Sequence, residues 1–129
     1  MENRNNLLNF NRLKMIKQIE ENKISSWKIN WVVPERLAFF NGHFPKDPIL
    51  PSVIILEASL ELINFALEDL KPLLLKEVKT AKFFNPIRPG FEIEISGTIK
   101  SQTDCWGVHW MDKVKNQKLA AFSLLLESP

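Results

Sequence analysis

Cysteine and histidine are scarce in this chain. Among 129 residues there is one cysteine, Cys105, and there are two histidines, His43 and His109. A single cysteine excludes an internal disulfide, and so few cysteines and histidines without ligand-like spacing make a poor metal site. We therefore expect no metal, and a protein suited to a reducing compartment.

Strong net charge and long apolar runs are also missing. The formal net charge is only +2, too small to indicate a nucleic-acid or membrane partner. The start of the chain, MENRNNLLNFNRLKMIKQIEEN, alternates polar and apolar residues. It lacks the roughly 7 to 15 apolar residues of a signal peptide, and no run reaches the roughly 18 residues of a membrane span. The expectation is a cytoplasmic protein with no nucleic-acid or membrane partner.

The residues that are present fit one folded domain over residues 1–129. Apolar residues make up 45% and charged residues 25% of the chain, which is ordinary for a folded protein. No repeat, linker or low-complexity tract divides it. Apolar residues near the start of this domain recur at helical spacing, which predicts an amphipathic helical segment over residues 1–23. The recurring positions are Leu8, Leu13, Ile16 and then Ile19 or Glu20.

A long apolar helix is predicted over residues 52–70, with Ser52 as its N-cap and Pro72 stopping it. So much of its circumference is apolar that protein should surround it on most sides. Alternation and turn residues predict about five strands, at residues 26–33, 78–84, 91–99, 104–112 and 118–127. With no helices between the later strands, this pattern favours an α+β fold in which an antiparallel sheet curls around the helix.

The segment FFNGHFPKDPILPSVIILEASLEL, residues 39–62, holds the candidate chemistry. The unperturbed pKa of a histidine side chain lies near neutrality, which makes His43 the natural proton acceptor. Three prolines follow it and stiffen the connection to the helix. Glu57 lies five residues into the helix, where apolar neighbours would desolvate its carboxylate and favour the protonated form. A base and an acid would then flank one cavity.

The start of the helix supplies a third element. The amide groups of Ser52, Val53 and Ile54 lie at the positive end of the helix dipole, where they can polarise a carbonyl oxygen. Together with a base and an acid, such donors suit removal of a proton beside a thioester carbonyl and expulsion of a β-hydroxyl as water. That reaction needs no metal.

Two sequence blocks resemble a known family. GHFPKDPILPSVIILEA, residues 42–58, resembles the motif of the β-hydroxyacyl-acyl-carrier-protein dehydratases of the hot-dog fold, including its spacing of 14 residues between His43 and Glu57. AKFFNPIRPGFEIEI, residues 81–95, is similar to the family's A-x-F-x-x-P-x-x-P-G-D strand pair. The opening at residues 39–42 looks more like that of the compact dehydratases of aryl-polyene-type lipid pathways than like that of the housekeeping fatty-acid dehydratase.

The resemblance implies a hot-dog fold, with an antiparallel sheet wrapped around one long central helix. It implies dehydration of a 3-hydroxyacyl thioester to the trans-2-enoyl thioester in fatty-acid or related acyl-chain biosynthesis. The substrate would be carried on the phosphopantetheine of acyl carrier protein, and the enzyme itself would need no cofactor. His43 would be the catalytic base and Glu57, from the opposite subunit of a dimer, the catalytic acid. Homodimers, larger homo-oligomers built from dimers, or a complex with a related hot-dog partner are all compatible with this.

Further residues are assigned to substrate and carrier. The expected substrate-binding residues are Gly42, Phe44, Ser52, Val53, Leu56, Phe83, Phe84, Pro89 and Gly90. Lys82 and Arg88 are the candidates for docking an acidic carrier protein, although scattered cations on strands often only aid solubility.

The sequence also departs from the family pattern. Ser52 stands where a glycine amide is expected to meet the thioester carbonyl, Glu61 replaces a glutamine, and Asn85 replaces a basic residue. The family's upstream H-R-x-P-F-L-L-x-D segment is absent. Two alternatives therefore stay open: a thioesterase or isomerase on the same fold, or a catalytically weakened subunit that binds acyl carrier protein.

Simpler interpretations exist for the candidate residues themselves. His43 alone could be a turn histidine that caps backbone groups. Glu57 belongs to a polar stripe with Glu61, Asn64 and Glu68, and such a stripe can be only a solvated helix face. His109 lies opposite the apolar positions of its strand and is expected to have no role.

Overall fold

The computed structural model describes residues 7–11, 14–37, 40, 47–68 and 71–129. One helix and six strands follow in the order β1 (Ile16–Glu20), β2 (Lys23–Val32), α1 (Ser52–Leu67), β3 (Leu74–Phe83), β4 (Glu92–Ile99), β5 (Cys105–Asp112) and β6 (Gln117–Glu127). The strands form one antiparallel sheet in the order β1-β2-β4-β5-β6-β3. This α+β arrangement confirms the predicted hot-dog fold, with one strand more than expected.

Side-chain alternation places β2 and β5 as predicted. In β2, Trp27, Ile29 and Trp31 are buried, while Lys28 and Asn30 between them are exposed. β5 behaves in the same way, since its tryptophans are buried and His109 is exposed. Successive side chains of a strand point to opposite faces, so one face of the sheet forms the core and the other meets solvent.

The prediction of an N-terminal helix is wrong, because the described part of that segment contains a strand. Ile16–Glu20 forms β1, which pairs with β2 across a two-residue turn at Glu21 and Asn22. Both turn residues have positive φ, 51° and 64°, as a type I′ hairpin turn requires. Because Ile16 and Ile19 remain 64% and 65% exposed, β1 has no buried face whose alternation could be seen in the sequence. Residues 1–6 and 12–13 of the predicted helix lie outside the described residues.

The helix begins at Ser52, but Ser52 is not its cap. Pro51 occupies the N-cap position with φ −61° and ψ 141°, and no side chain of the described residues caps the helix. The Pro51 carbonyl accepts hydrogen bonds from the amides of Ile54 and Ile55, at 3.1 and 3.2 Å. The helix ends at Leu67, earlier than predicted, because Glu68 adopts a left-handed conformation with φ 54° and so stops the α-helical path.

One face of α1 packs on the sheet and one buried polar contact joins them. The indole Nε1 of Trp110 on β5 donates to Ser59 Oγ at 2.9 Å, and Ser59 Oγ donates to the Ile55 carbonyl at 2.8 Å. Both polar groups are therefore satisfied inside the core. The buried residues of the helix are Ile55, Ala58, Ser59, Leu62, Ile63 and Ala66.

The opposite face of α1 stays open in the single chain. Val53 is 56% exposed, and Leu56 and Leu60 are only partly buried. β3, at one edge of the sheet, is likewise exposed along most of its length. The expectation that protein surrounds the helix on most sides is therefore not met by one chain alone. In the ranges described, no helix is both long enough and apolar enough to cross a membrane.

Candidate active site

The first turn of α1 presents two backbone donors. An α-helix leaves its first amides without intrahelical acceptors, and the amides of Ser52 and Val53 make no hydrogen bond to the described part of the chain. The Ile54 amide, which the sequence grouped with them, already donates to the Pro51 carbonyl. The hypothesised set of three donors is therefore corrected to two.

An open cavity of about 460 Å³ lies against this helix start. Its volume is within the range of small-molecule sites. Four of the predicted substrate-binding residues line it, namely Ser52, Val53, Phe83 and Phe84, whereas Leu56 does not. The full lining consists of Ile49, Leu50, Pro51, Ser52, Val53, Ile55, Phe83, Phe84, Asn85, Pro86 and Ile87.

Hydrogen bonds to backbone carbonyls fix two walls of the cavity. The Leu50 amide donates to the Ile87 carbonyl at 2.9 Å, which joins the segment before the helix to the segment after β3. The Phe84 amide donates to the Leu119 carbonyl at 2.9 Å, and Asn85 Nδ2 donates to the Lys118 carbonyl at 2.8 Å. Leu50 and Ile87 were not predicted as lining residues, although both lie inside the two motif blocks.

Phe83 and Phe84 form the apolar side of the opening. They are 48% and 45% exposed in the single chain. Phe83 is held edge-on against Phe122 of β6, with the ring centroids 5.4 Å apart. Large exposed aromatic groups beside a cavity are available to contact an apolar ligand or a second protein surface.

Glu57 lies on the open face of α1, one turn beyond Val53. It is exposed, so its neighbours on the helix do not bury its carboxylate as the sequence analysis expected. Within the part of the chain that is described, Glu57 makes no hydrogen bond or ion pair. It is therefore available to a ligand or to another subunit.

The other members of the polar stripe are bound within the fold. Glu61 accepts a hydrogen bond from the Leu7 amide, and Glu68 pairs with Lys17 at 2.8 Å. Asn64 both accepts from the Leu73 amide and donates to the Leu73 carbonyl. The hydrogen bond from Lys17 lowers the pKa of Glu68. The interpretation as a solvated helix face therefore fits the exposed Glu57 but not the other three residues, which bind other parts of the chain.

Three predicted site residues, Gly42, His43 and Phe44, lie outside the described residues. The description resumes at Asp47, whose carboxylate binds the Arg88 guanidinium through two hydrogen bonds: Nε to Oδ1 at 2.7 Å and a terminal nitrogen to Oδ2 at 2.9 Å. These bonds lower the pKa of Asp47 and raise that of Arg88. Arg88, one of the two proposed docking cations, is therefore engaged within the fold.

The remaining predicted residues do not line the cavity. Lys82 is exposed on β3. Gly90, with φ 85°, donates its amide to the Val33 carbonyl at 2.8 Å, and Pro89 precedes it. A positive φ favours glycine at this turn, so Gly90 has a structural reason to be present. Among the described residues, no three histidine, cysteine, aspartate or glutamate side chains are grouped as metal ligands.

In the described residues, one helix packs on an antiparallel sheet and a cavity lies at the start of that helix. This arrangement defines a hot-dog protein. Residues 17–122 match the ApeI-like family, described as ApeI dehydratase. Because this match spans most of the chain, the chain belongs to the ApeI-like dehydratase family.

Curated relatives carry a related name. A 3-hydroxyacyl-[acyl-carrier-protein] dehydratase FabZ from Protochlamydia amoebophila is 35% identical over 88 residues, 65% of this chain and 57% of that protein. A FabZ from Latilactobacillus sakei is 41% identical over 76 residues, 55% of this chain and 54% of that protein. The chain thus spans a little over half the length of these relatives.

Solved structures share the fold at low identity. A chain of the dehydratase heterocomplex ApeI:P from Xenorhabdus doucetiae superimposes with a TM-score of 0.71 at 19% identity, covering 88% of this chain and 97% of that chain. Thioesterase superfamily member 2 from Mus musculus gives a TM-score of 0.61 at 14% identity, covering 89% and 81%. At such identities the likeness shows the fold and leaves the reaction open.

Proposed function

We propose that this protein dehydrates 3-hydroxyacyl thioesters carried by acyl carrier protein, giving trans-2-enoyl thioesters in fatty-acid or related acyl-chain biosynthesis. The observation that carries the proposal is the position of Glu57, which is unbound on the open helix face one turn from the cavity. Membership of the ApeI-like dehydratase family and the names of the curated relatives support it.

The proposed reaction uses a base, two amide donors and an acid. His43 accepts the α-proton of the substrate, and the electron pair moves onto the thioester carbonyl oxygen. The amides of Ser52 and Val53 stabilise the resulting enolate oxygen. As the enolate collapses to the α,β-double bond, the C–O bond to the β-hydroxyl breaks. Glu57 donates a proton to that oxygen, which leaves as water. Transfer of one proton from His43 to Glu57, directly or through solvent, restores the starting state.

A dimer would cover the face of α1 that one chain leaves open. The outer edge of β3 is not paired with another strand of the described chain, and unpaired strand edges are ready sites for pairing with a second chain. Apolar side chains line this region, including Val53, Val78 and Phe83, which are 56%, 37% and 48% exposed. A second subunit joined along β3 would cover them and would also withdraw Glu57 from water. We propose that His43 and Glu57 of one site come from opposite subunits.

The identity of the second subunit is part of the proposal. A homodimer is the simplest solution, because the same exposed edge then serves both partners. A related hot-dog protein could instead take the second position. The fold neighbour from Xenorhabdus doucetiae is described as a heterocomplex, which makes that arrangement a reasonable second hypothesis for this chain.

Ser52 favours one alternative function. Its side chain lies at the cavity, where the family pattern has glycine, and it adds atoms close to the proposed thioester position. Its backbone does not adopt a positive φ, so serine fits here without strain, and its amide is retained. A catalytically weakened subunit that binds acyl carrier protein is therefore the alternative to test.

The deciding experiment incubates the purified protein with a 3-hydroxyacyl-carrier thioester and follows the product by mass spectrometry. Loss of one water from the carrier-bound chain is the expected result. Release of free carrier thiol would instead identify a thioesterase, and binding without turnover would identify the weakened subunit. His43→Asn should abolish water loss, whereas His109→Asn, which changes the exposed histidine of β5, should not.

A further inference from the structure

The ion pair between Arg88 and Asp47 joins the two segments that form the cavity walls. Arg88 follows Ile87 in the wall after β3, and Asp47 lies in the segment that leads to the helix. From this geometry we infer that Arg88 is a positioning residue for the dehydration site and not a docking cation. This inference depends on the proposed function only for the enzymatic assay that tests it.

A second link lies close to the ion pair. The Leu50 amide donates to the Ile87 carbonyl at 2.9 Å, so both segments are joined at two neighbouring points. Pro48 and Pro51 limit the backbone freedom of the segment between these points and the helix. Fixing Asp47 and Leu50 therefore fixes the direction in which the chain enters α1, and with it the amide of Ser52.

The geometry of the pair favours positioning over carrier docking. The planar guanidinium uses Nε and one terminal nitrogen to bind both carboxylate oxygens, an arrangement that gives directional specificity as well as attraction. Asp47 also neutralises the charge that an acidic carrier protein would need. Because its pKa is lowered and that of Arg88 is raised, the pair stays fully charged across the neutral range. It would be lost only in acid, as the pH falls through the lowered pKa of Asp47.

The test compares Asp47→Asn, Arg88→Lys and the exchanged pair Asp47→Arg with Arg88→Asp. Each is assayed with a carrier-bound 3-hydroxyacyl substrate and with the same acyl group on a short pantetheine thioester. Both single variants should lose about 10- to 100-fold in kcat on both substrates, with KM little changed, because misplacement of catalytic groups reduces the chemical step. The exchanged pair should recover part of the loss. Lys23→Ala, at an exposed position of β2, serves as the control for general loss of surface charge.

A docking role gives a different pattern. Arg88→Lys and Asp47→Asn would then leave kcat on the short thioester unchanged, and any loss would appear as a higher KM for the carrier-bound substrate alone. That result would overturn the positioning role of Arg88. Lysine is a suitable probe because it keeps the charge and removes the two-point geometry.

Amide hydrogen exchange provides a readout that needs no enzymatic activity. In the oligomer as purified, the Leu50 amide should exchange faster in Asp47→Asn and Arg88→Lys than in the original protein, because the neighbouring link is lost. Amides in β4 and β5 serve as internal controls. If Leu50 exchange is the same in all three proteins, the positioning role is wrong, whether or not the protein proves to be a dehydratase.

Discussion

Glu57 and Glu61 lie one turn apart on α1 but differ in what they bind. Glu61 Oε2 accepts a hydrogen bond from the Leu7 amide at 3.2 Å and so attaches the N-terminal segment to the helix. Glu57 binds nothing in the described part of the chain, although it occupies the same polar stripe. An exposed and unbound carboxylate contributes little to stability, so replacing Glu57 should test its proposed role without unfolding the protein.

Glu57→Gln should lower the dehydration rate while leaving the fold intact. The amide keeps the shape of the side chain but cannot donate a proton to the leaving hydroxyl, and loss of such an acid typically costs about 10²- to 10⁴-fold in rate. Thermal unfolding should change little. Glu92→Gln, the same chemical change at an exposed position of β4, is the matched control. Equal activity of Glu57→Gln and Glu92→Gln would remove Glu57 from the mechanism.

Mixing two inactive variants should restore activity if each site is built from two subunits. A dimer containing one His43→Asn chain and one Glu57→Gln chain has one intact site and one doubly altered site. After unfolding and refolding an equimolar mixture, about half of the dimers are mixed, so about a quarter of the original activity should return.

The control for this experiment is each variant refolded alone, which should stay inactive. Sedimentation or light scattering would show that the mixture contains dimers. Recovery no greater than the sum of the two separate variants, despite normal dimer formation, would place both residues in the same chain or exclude one of them.

Ser52→Gly tests the departure from the family pattern. Removing the hydroxymethyl group leaves the backbone amide in place and opens the cavity beside the proposed thioester position. We expect equal or higher kcat/KM, measured with the carrier-bound substrate. A small loss of stability, up to about 1 kcal/mol, should accompany it because glycine is a poor residue within a helix. A large fall in kcat without unfolding would show that the serine hydroxyl takes part in the reaction.

The sequence predicted the parts of the fold that have a strong local pattern. β2 was identifiable because Trp27, Ile29 and Trp31 alternate with polar residues, and their burial confirms this. β1 was missed because an exposed edge strand buries too little to show alternation, and only its two-residue turn carried a signal. The ion pair of Asp47 with Arg88 spans 41 positions in sequence, and no periodicity reports a pairing of that kind.

The residues of the candidate site were likewise predicted only in part. Ser52 and Val53 were predicted from the position of the helix start, which a proline and an apolar run define, and both line the cavity. The exposure of Glu57 matches the simpler of two interpretations, the solvated stripe, and contradicts the expected desolvation. The sequence did not decide between them, because apolar neighbours along a helix do not show which of them the sheet will cover.

Gly97→Ala tests the packing that holds the core of the sheet together. Gly97 on β4 lies opposite Trp27 on β2, and a Cβ atom at this position would overlap Cε2, Cζ2 and Nε1 of the indole. Trp27 is only 2% exposed, and its Nε1 has no hydrogen-bond partner in the described part of the chain. The indole is therefore held by shape alone, and the added methyl group must displace it. Such overpacking costs about 1 to 3 kcal/mol.

Urea unfolding, followed by tryptophan fluorescence, measures this effect, and Gly107→Ala supplies the comparison. Gly107 lies on the neighbouring strand β5, but a Cβ atom there has its nearest neighbour, the Thr98 carbonyl oxygen, at 3.8 Å, an ordinary contact distance. Gly107→Ala should thus leave the free energy of unfolding unchanged or raise it slightly, because alanine restricts the unfolded chain more than glycine does. If both variants unfold at the same urea concentration, the close approach of Trp27 to Gly97 does not determine how the two strands pack.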